Sequence, residues 1–595
     1  MKKRILSFVL CLILIATVST TAIPVMAATT MTMTALSQSG AAAKANDVVT
    51  IASPDELDAF AKYVDNSKNT DGVTFKLLND IVYNTGDASD YAETTGLRTY
   101  ATAGDYNKPF KGIFEGNNKT ISGLYINSTD RYVGLIGSLG GATVQNLSIV
   151  NSYIYTAKTG ASAIAGAVNA GTNIISNVYV DAIIEACVDA GQNHGYVGGI
   201  VGLLSGAISL SISNVTVEGS YTSGKASVGG VVGRIQSVPF EIENCISRAN
   251  VTGTQCVGGI VGYEKTTTSS YTNVYVNATI TSTDTTNTYA YIGGVVGQTE
   301  STSKLSISDA VVEGIITATK GSVGGVVGEI TNTSVVVNIT RAVNHAPVTG
   351  STAVGGIVGY SKTSNITVNN CITGGYMTAK KGWSGYIVGR NDADNGCTVN
   401  NCAYVTDNID FSDNNGGAVG KKPVDNSCCT TVDDITKVAA AVTWDDEKWT
   451  ERYSESIIIP TTVANMIKNA PGGVMAQAST KDADGKYSVR FLVPVDTLDY
   501  DAAALYITAT TSSGTTKKYF VNVTTAYTSV IAHGEPAYAS DHGGKYFLAH
   551  AIVGVDEPGE NITWTVQVIT VSNDVKNETQ AFTFTGVSAN ETEVK

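Results

Sequence analysis

At 595 residues the chain is longer than one ordinary hydrophobic core supports, so several domains or a repeat array are expected. Lys and Arg number 38 against 52 Asp and Glu, a net charge of −14, which makes nucleic acid a poor partner because that affinity comes from neutralised phosphates. Charged residues are only 15% of the chain, against about 25% in average proteins, and 61 glycines accompany them. This is the chemistry of strands and turns.

The first element is a leader. Lys2, Lys3 and Arg4 precede an apolar run from Ile5 to Val18, and Val25-Met26-Ala27 supplies the small residues that signal peptidase requires. Cleavage after Ala27 would leave 35 basic against 52 acidic residues, a net charge of −17, on an exported chain. The apolar run is too short to span a bilayer and no later stretch is long enough. Residues 28–47 read as a flexible linker. Ser53-Pro54-Asp55-Glu56 is then a capping box with proline at the first helical position, and Leu57, Phe60, Ala61 and Val64 fall on one helical face. This helix and the first coils, 48–128, are expected to cover the exposed end of a repeat array spanning 129–425.

The array is announced by "VGGIVG" at Val197, which returns with small changes at 228, 257, 292, 323 and 354. Aligned on the closing glycine, the units lie at Gly137, Gly166, Gly202, Gly233, Gly262, Gly297, Gly328, Gly359, Gly389 and Gly420, spaced by 29 to 36 residues. A second β-rich block follows each glycine block, as in "ISNVYV" at 175 and "VNNCIT" at 368. One of its columns reads Asn146, Asn177, Asn214, Asn244, Asn273, Asn370 and Asn401, broken by Asp309 and Arg341. Coils stacked about 4.8 Å apart would set these amides above one another as a hydrogen-bonded ladder. The next column is small and apolar, from Leu147 and Val178 through Cys245 to Cys371 and Cys402, as an inward stack should be. With no helical period, the reading is an all-β fold: a right-handed parallel β-helix (solenoid) with a short N-terminal capping helix, followed by a C-terminal β-sandwich.

These units resemble GLUG repeats, through Gly134-Leu135-Ile136-Gly137 and its Gly-Ile/Val-Val-Gly variants, and "FKGIFEGNNKTISGLYI" at Phe110–Ile126 is similar to the coils that lead into such arrays. The resemblance covers about residues 48 to 465. It implies a secreted bacterial surface protein, adhesin-like, or an accessory region of the kind found in immunoglobulin-cleaving metalloproteases. The His-Glu-x-x-His motif of such a protease does not occur in the chain.

"TTVDDITKVAAAV" and the tryptophans Trp444 and Trp449 form an expected C-terminal cap over 426–468. A linker is expected at 469–480, and alternating strands over 481–595 read as a β-sandwich. The tail carries no sortase-type sorting motif, which leaves secretion or loose association with the cell surface.

Chemistry is thin. Asp181 and Glu218 occupy equivalent positions on adjacent coils, about the separation two carboxylates of a glycoside hydrolase need, while the same column tolerates Arg248, Asn277, His345 and Gly374 and so also reads as a solvent-facing one. Cys371 and Cys402 stack on neighbouring coils, close enough for a disulfide or for two packed thiols. His533, His542 and His550 match no usual zinc spacing. Tyr153, Tyr155, Tyr179, Tyr221 and Tyr275 could form an exposed face that stacks on sugar or grips a protein, but any one of them reads first as a structural strand residue, where tyrosine is common. The expected activity is structural or adhesive, without cofactor or metal, towards an extracellular glycan or a host or cell-surface protein. The alternative is a polysaccharide hydrolase or lyase using Asp181 and Glu218.

Overall fold

A computed structural model describes residues 29–186, 195–285, 290–379, 382–393 and 396–406, and then the segments 409–411, 417–421, 429–442, 444, 448–452, 457–469 and 474–478. From 487 to 594 it describes individual strands. The segment read as a leader, residues 1–27, lies outside the described residues.

The chain winds as a β-solenoid in which every pairing between coils is parallel. Each coil contributes a short strand, such as Gly195–Gly198, then a second, such as Val201–Ser205, then a long bent one, such as Ser209–Ser223. Nine short strands, ten second strands and a longer series of bent strands stack into three sheets among the described residues. Alternation along the bent strands places one column inside: Val144, Ile175, Ile212, Ile242, Tyr271, Ile307, Ile339, Val368 and Val399 pair in register and are all buried. Period-two patterning with β-branched residues is what such a half-buried sheet selects.

The glycine block is explained by crowding rather than by turning. None of Gly198, Gly199 and Gly202 or their equivalents has a positive φ. A Cβ on Gly199, Gly230, Gly259, Gly294 or Gly325 would instead lie 2.0 to 2.6 Å from the carbonyl oxygen of the matching glycine one coil on. A Cβ on Gly198, Gly229, Gly258, Gly293 or Gly324 would meet the carbonyl three residues ahead at 2.0 to 2.3 Å. The first two strands therefore fold against each other at backbone contact distance, and only glycine fits.

The N-terminal end departs from the expected linker at 28–47. Thr30–Thr32 is a strand that pairs in parallel with Val48–Ile51, Val48–Ile51 pairs with Thr74–Leu77, and Thr74–Leu77 pairs with Ile113–Ser122, so the bent sheet already starts there. Helix α1, Met33–Ser39, follows at once, with the Thr32 hydroxyl accepting from the Ala35 N–H. Helix α2, Pro54–Asp65, forms as read, with Ser53 as its cap and Leu57, Phe60, Ala61 and Val64 buried. Phe60 meets Phe75, Phe110 and Phe114 at ring distances of 5.0, 5.6 and 5.3 Å. Glu56 does not close the usual reciprocal box: its carboxylate accepts from the Ala52 N–H and from the Thr34 N–H and hydroxyl, which ties α1 to α2.

At the other end the Trp-containing segment does not close the stack but lies along its flank. An outward column of the bent sheet, Ile246, Tyr275, Val311, Val343, Ile372 and Ala403, is covered by Val438 of helix α3 (Val438–Ala441), Trp449, Ile458, Ile459 and Val463 of helix α4 (Thr461–Asn469). Trp444 and Trp449 pack against each other with ring centroids 4.5 Å apart and planes inclined by 38°. The stretch read as a linker at 469–480 contains the strand Val474–Ala478, which pairs antiparallel with Tyr487–Pro494. Beyond it the strands form two antiparallel groups, one around Tyr487–Pro494 and one around Ala502–Thr510 and Thr563–Ser572.

This account predicts that Gly294→Ala costs about 1–3 kcal/mol or more of stability, since the new methyl meets backbone on one side and Val312 on the other. Gly224→Ala, where nothing lies within 4 Å, should change stability by no more than about 0.5 kcal/mol. Urea denaturation of both variants checks the contrast, and equal effects would contradict it.

Candidate functional site

The asparagine column forms the expected ladder. Asn146, Asn177, Asn214, Asn244, Asn273, Asn370 and Asn401 all sit in the left-handed region at φ of 50 to 56°. Short Asx side chains tolerate that backbone because they bond locally, and here it bends each long strand at its corner. Asn177, Asn214, Asn244 and Asn273 each donate from Nδ2 to the Oδ1 of the asparagine one coil before, at 2.9 to 3.2 Å. Asn146 begins the run by donating to Glu115, and Asn401 donates to Asn370 at 2.7 Å.

The two exceptions are a matched pair. Arg341 donates from Nε and Nη2 to both carboxylate oxygens of Asp309, at 2.6 and 2.5 Å, so a bidentate ion pair replaces an amide rung. Asp309 turns both carboxylate oxygens to Arg341, and the buried Oδ1 of Asn273 on the coil before lacks a hydrogen-bond partner. The sequence flagged these positions as breaks but gave no sign that they face each other.

Asp181 and Glu218 are brought together as the columns require, directly opposite on adjacent bent strands. Their chemistry is another matter. Glu218 is buried, and its Oε1 accepts from Arg248 Nη1 at 3.1 Å, with the guanidinium equally buried. That carboxylate is committed to an ion pair in a column that sequence patterning left open as solvent-facing. Glu313 lies opposite Asn277 and accepts from the Tyr275 hydroxyl at 2.6 Å.

The cysteines are thiols rather than a bridge. Cys371 and Cys402 are both buried and free, with their Sγ atoms directed to backbone carbonyls such as those of Asn369 and Asn400. Packing inside the rod supplies those partners, so the stack needs no bond to hold it. Cys429 continues the column, opposite Cys402. Cys245 packs between Val215 and Val274 as a small apolar residue. Burial pushes its thiol up to about 12.

The tyrosines follow the structural reading rather than the exposed face. Tyr221 and Tyr275 are fully buried, Tyr179 and Tyr153 nearly so, and Tyr155 is half-buried. Tyr221 lies in the rod interior, Tyr275 lies under α4, and Tyr153 packs against Tyr125 beneath the segment 83–100. The aromatic groups that do reach solvent are elsewhere. Tyr106 is 39% exposed and its ring lies 5.3 Å from that of Tyr132. Tyr376 is 48% exposed. Tyr196 and Tyr263, by contrast, are buried, with the Arg234 guanidinium 5.1 and 4.1 Å from their ring centroids.

Glu264 and Glu329 are among the buried acids that the sequence reading did not single out. Glu264 is fully buried and accepts hydroxyl donors from Ser269, Tyr271, Thr299 and Ser301; burial raises its pKa and those hydroxyls pull it back. Glu329 lies between Gln298 and Tyr360 in one column, and burial pushes its carboxyl up to about 7, opposed by Lys362 and Arg390. Only an alternation carried across three sheets at once would have placed them.

Among the described residues no cluster of His, Cys, Asp and Glu could hold a metal ion, and no helix is long and apolar enough to cross a membrane. His533 and His542 lie outside the described residues.

No family model matches the chain. Over 112 residues it is 36% identical to a candidate Gly-rich membrane protein of Evansella cellulosilytica, a match covering 18% of this chain and 12% of that protein. Over 120 residues it is 35% identical to halomucin of Haloquadratum walsbyi, covering 20% of this chain and 1% of that one. Each match thus spans a small part of the relative. Among solved structures, a candidate immunoglobulin A1 protease from Bacteroides ovatus aligns at 16% identity with a TM-score of 0.32, over 70% of this chain and 94% of that one.

The ladder predicts a specific asymmetry. Arg341→Asn leaves the buried Asp309 carboxylate without its guanidinium and should cost about 3 kcal/mol, whereas adding Asp309→Asn rebuilds an amide rung and should recover most of that loss. Thermal denaturation of the single and double variants reads the difference; a double variant no better than the single would refute the pairing.

Proposed function

We propose that this chain is an exported scaffold: a GLUG-type, right-handed β-solenoid followed by a β-sandwich, which acts at or near the cell surface by binding an extracellular glycan or a surface protein. The observation that carries this reading is where the repeat's recurring residues go. The glycines are consumed by backbone contact and the asparagines by the corner ladder, so what recurs in every coil builds the rod. What differs between coils is left to the outer columns and loops, which is where recognition by a repeat scaffold resides.

The names of the two relatives, a Gly-rich membrane protein and halomucin, favour a surface setting over an intracellular one. The carbohydrate-active alternative draws no support from geometry, because Glu218, half of its carboxylate pair, is held by Arg248.

Co-sedimentation of residues 28–595 with cell walls, mucin and insoluble polysaccharides tests the proposal. Retention on one of these classes is expected, unchanged by Asp181→Asn and without release of reducing sugar. Failure to bind any of them would overturn the binding role, and reducing sugar released by the parent but not by Asp181→Asn would establish the enzyme instead.

A further inference from the structure

Beside the first coils lies a cleft of about 840 Å³, bounded by the C-terminal end of α2, the loop 99–107 and the turn 127–132. Of its walls, Tyr132 stands in the short-strand column, opposite Gly160. One wall is aromatic: Tyr106 and Tyr132 lie 5.3 Å apart with their rings inclined by 31°. Their positions are fixed from behind. The Tyr106 carbonyl accepts from Asn169 Nδ2 at 2.5 Å, its hydroxyl lies 3.3 Å from the Ser205 hydroxyl, and Tyr132 packs against Tyr196 and Leu203. Tyr132 also lies over Gly160, where a Cβ would meet its ring at 2.8 Å. A glycine on the neighbouring coil thus gives this ring its seat.

Carboxylates line the rest. Asp65, Asp105 and Asp130 face the cleft against a single lining cation, Arg131, while Lys108 is turned aside to donate to the Asp65 carbonyl at 2.8 Å. Asp65 accepts from the Gly104 N–H through Oδ1, leaving Oδ2 without a hydrogen-bond donor among the described residues. Asp105 uses Oδ1 to accept from the N–H groups of Asn107 and Lys108, and Asp130 accepts from the Ser128 hydroxyl through Oδ2. Burial raises the Asp65 pKa, and the charges of Asp105 and Asp130 add to the rise while Lys108 opposes it. The three acids therefore share one field, and a cation entering the cleft would relieve their repulsion.

Two inclined tyrosine rings offer a surface for the C–H face of a pyranose, and their quadrupoles attract an ammonium group. The acids supply acceptors for hydroxyls and a counter-charge for an amine. An anionic sugar would meet like charge at close range. We propose that this cleft binds an aminohexose oligomer, an oligosaccharide carrying free amines, with the Tyr106–Tyr132 pair stacking on the ring and Asp65, Asp105 and Asp130 holding the ammonium and hydroxyl groups. This rests on the binding role proposed above and names the ligand class for one of its surfaces.

The probe is a fully deacetylated glucosamine tetramer, titrated calorimetrically into residues 28–595, with the N-acetylated tetramer as its neutral counterpart. Saturable one-to-one binding is expected for the amine. It should weaken about tenfold in Asp130→Asn and in Tyr106→Ala, both exposed loop positions whose melting temperature should match the parent, and about tenfold on acetylation of the ligand. Absence of saturable binding, equal affinity for the two tetramers, or affinity untouched by both variants would overturn the assignment. Because co-sedimentation reads the whole molecule, retention on walls or mucin that survives Tyr106→Ala with no tetramer binding would remove the cleft and leave the scaffold role intact.

Discussion

Backbone approaches backbone in this protein closely enough that a single methyl group has nowhere to go. At Gly294 a Cβ would sit 2.1 Å from the carbonyl oxygen of Gly325, and the same collision repeats from coil to coil. Two sheets that would otherwise be held apart by side chains can then fold against each other, with Val and Ile of the same block filling the space to either side. Those residues, Val197, Ile200 and Val201 among them, are fully buried. Close packing of this kind leaves little room to adjust, so a substitution must displace main chain rather than rotate a side chain. The period of the sequence is the period of that contact.

The corner ladder solves a different problem. Bending a long strand by placing one residue in the left-handed region strands polar groups where regular pairing is interrupted, and the amide of asparagine both tolerates the φ and bonds to the coils above and below. Where selection has departed from asparagine it has done so in a complementary couple, Asp309 and Arg341, whose bidentate contact keeps the column bonded at the expense of one unsatisfied oxygen on Asn273. A residue as unsuited to that backbone as arginine, at φ 53°, persists because its partner holds it there.

Much of this was legible in one sequence because the repeat supplies its own alignment. The asparagine column, the inward column through Cys245 and the register of Asp181 with Glu218 all follow from counting between glycines, and the α2 cap follows from local helix rules. What could not be counted was whatever packs across the rod. Thr30–Thr32 has no repeat neighbour in sequence, so its pairing with Val48–Ile51 was hidden in an apparent linker. Tyr275 and Tyr221 alternate like surface residues or lie beyond the aligned block, yet one is covered by the returning α4 segment and the other faces the interior. Arg248 was visible in its column, but that its charge was spent on Glu218 depended on burial that no periodicity states. The cleft beside Tyr106 sets the loop 99–107, which precedes the first glycine unit, against Tyr132 of that unit, and counting between glycines gave no sign that the two meet.

The functional reading inherits this division between residues that stack and residues that do not. Its foundation is that one repeat equals one rung, and that can be measured without knowing any ligand. Ser176, Ser213, Glu243, Thr272, Ser308, Thr340, Asn369 and Asn400 form one outward column of successive register partners. Nitroxides carried by unnatural amino acids at Ser176 and Ser308, and separately at Ser176 and Asn400, report the two spans by pulsed electron resonance. Four and seven rungs of about 4.8 Å predict backbone separations of about 19 and about 34 Å, a difference of about 15 Å. Spans that fail to grow in proportion to the number of repeats between the labels would contradict the stacked architecture and everything argued from it.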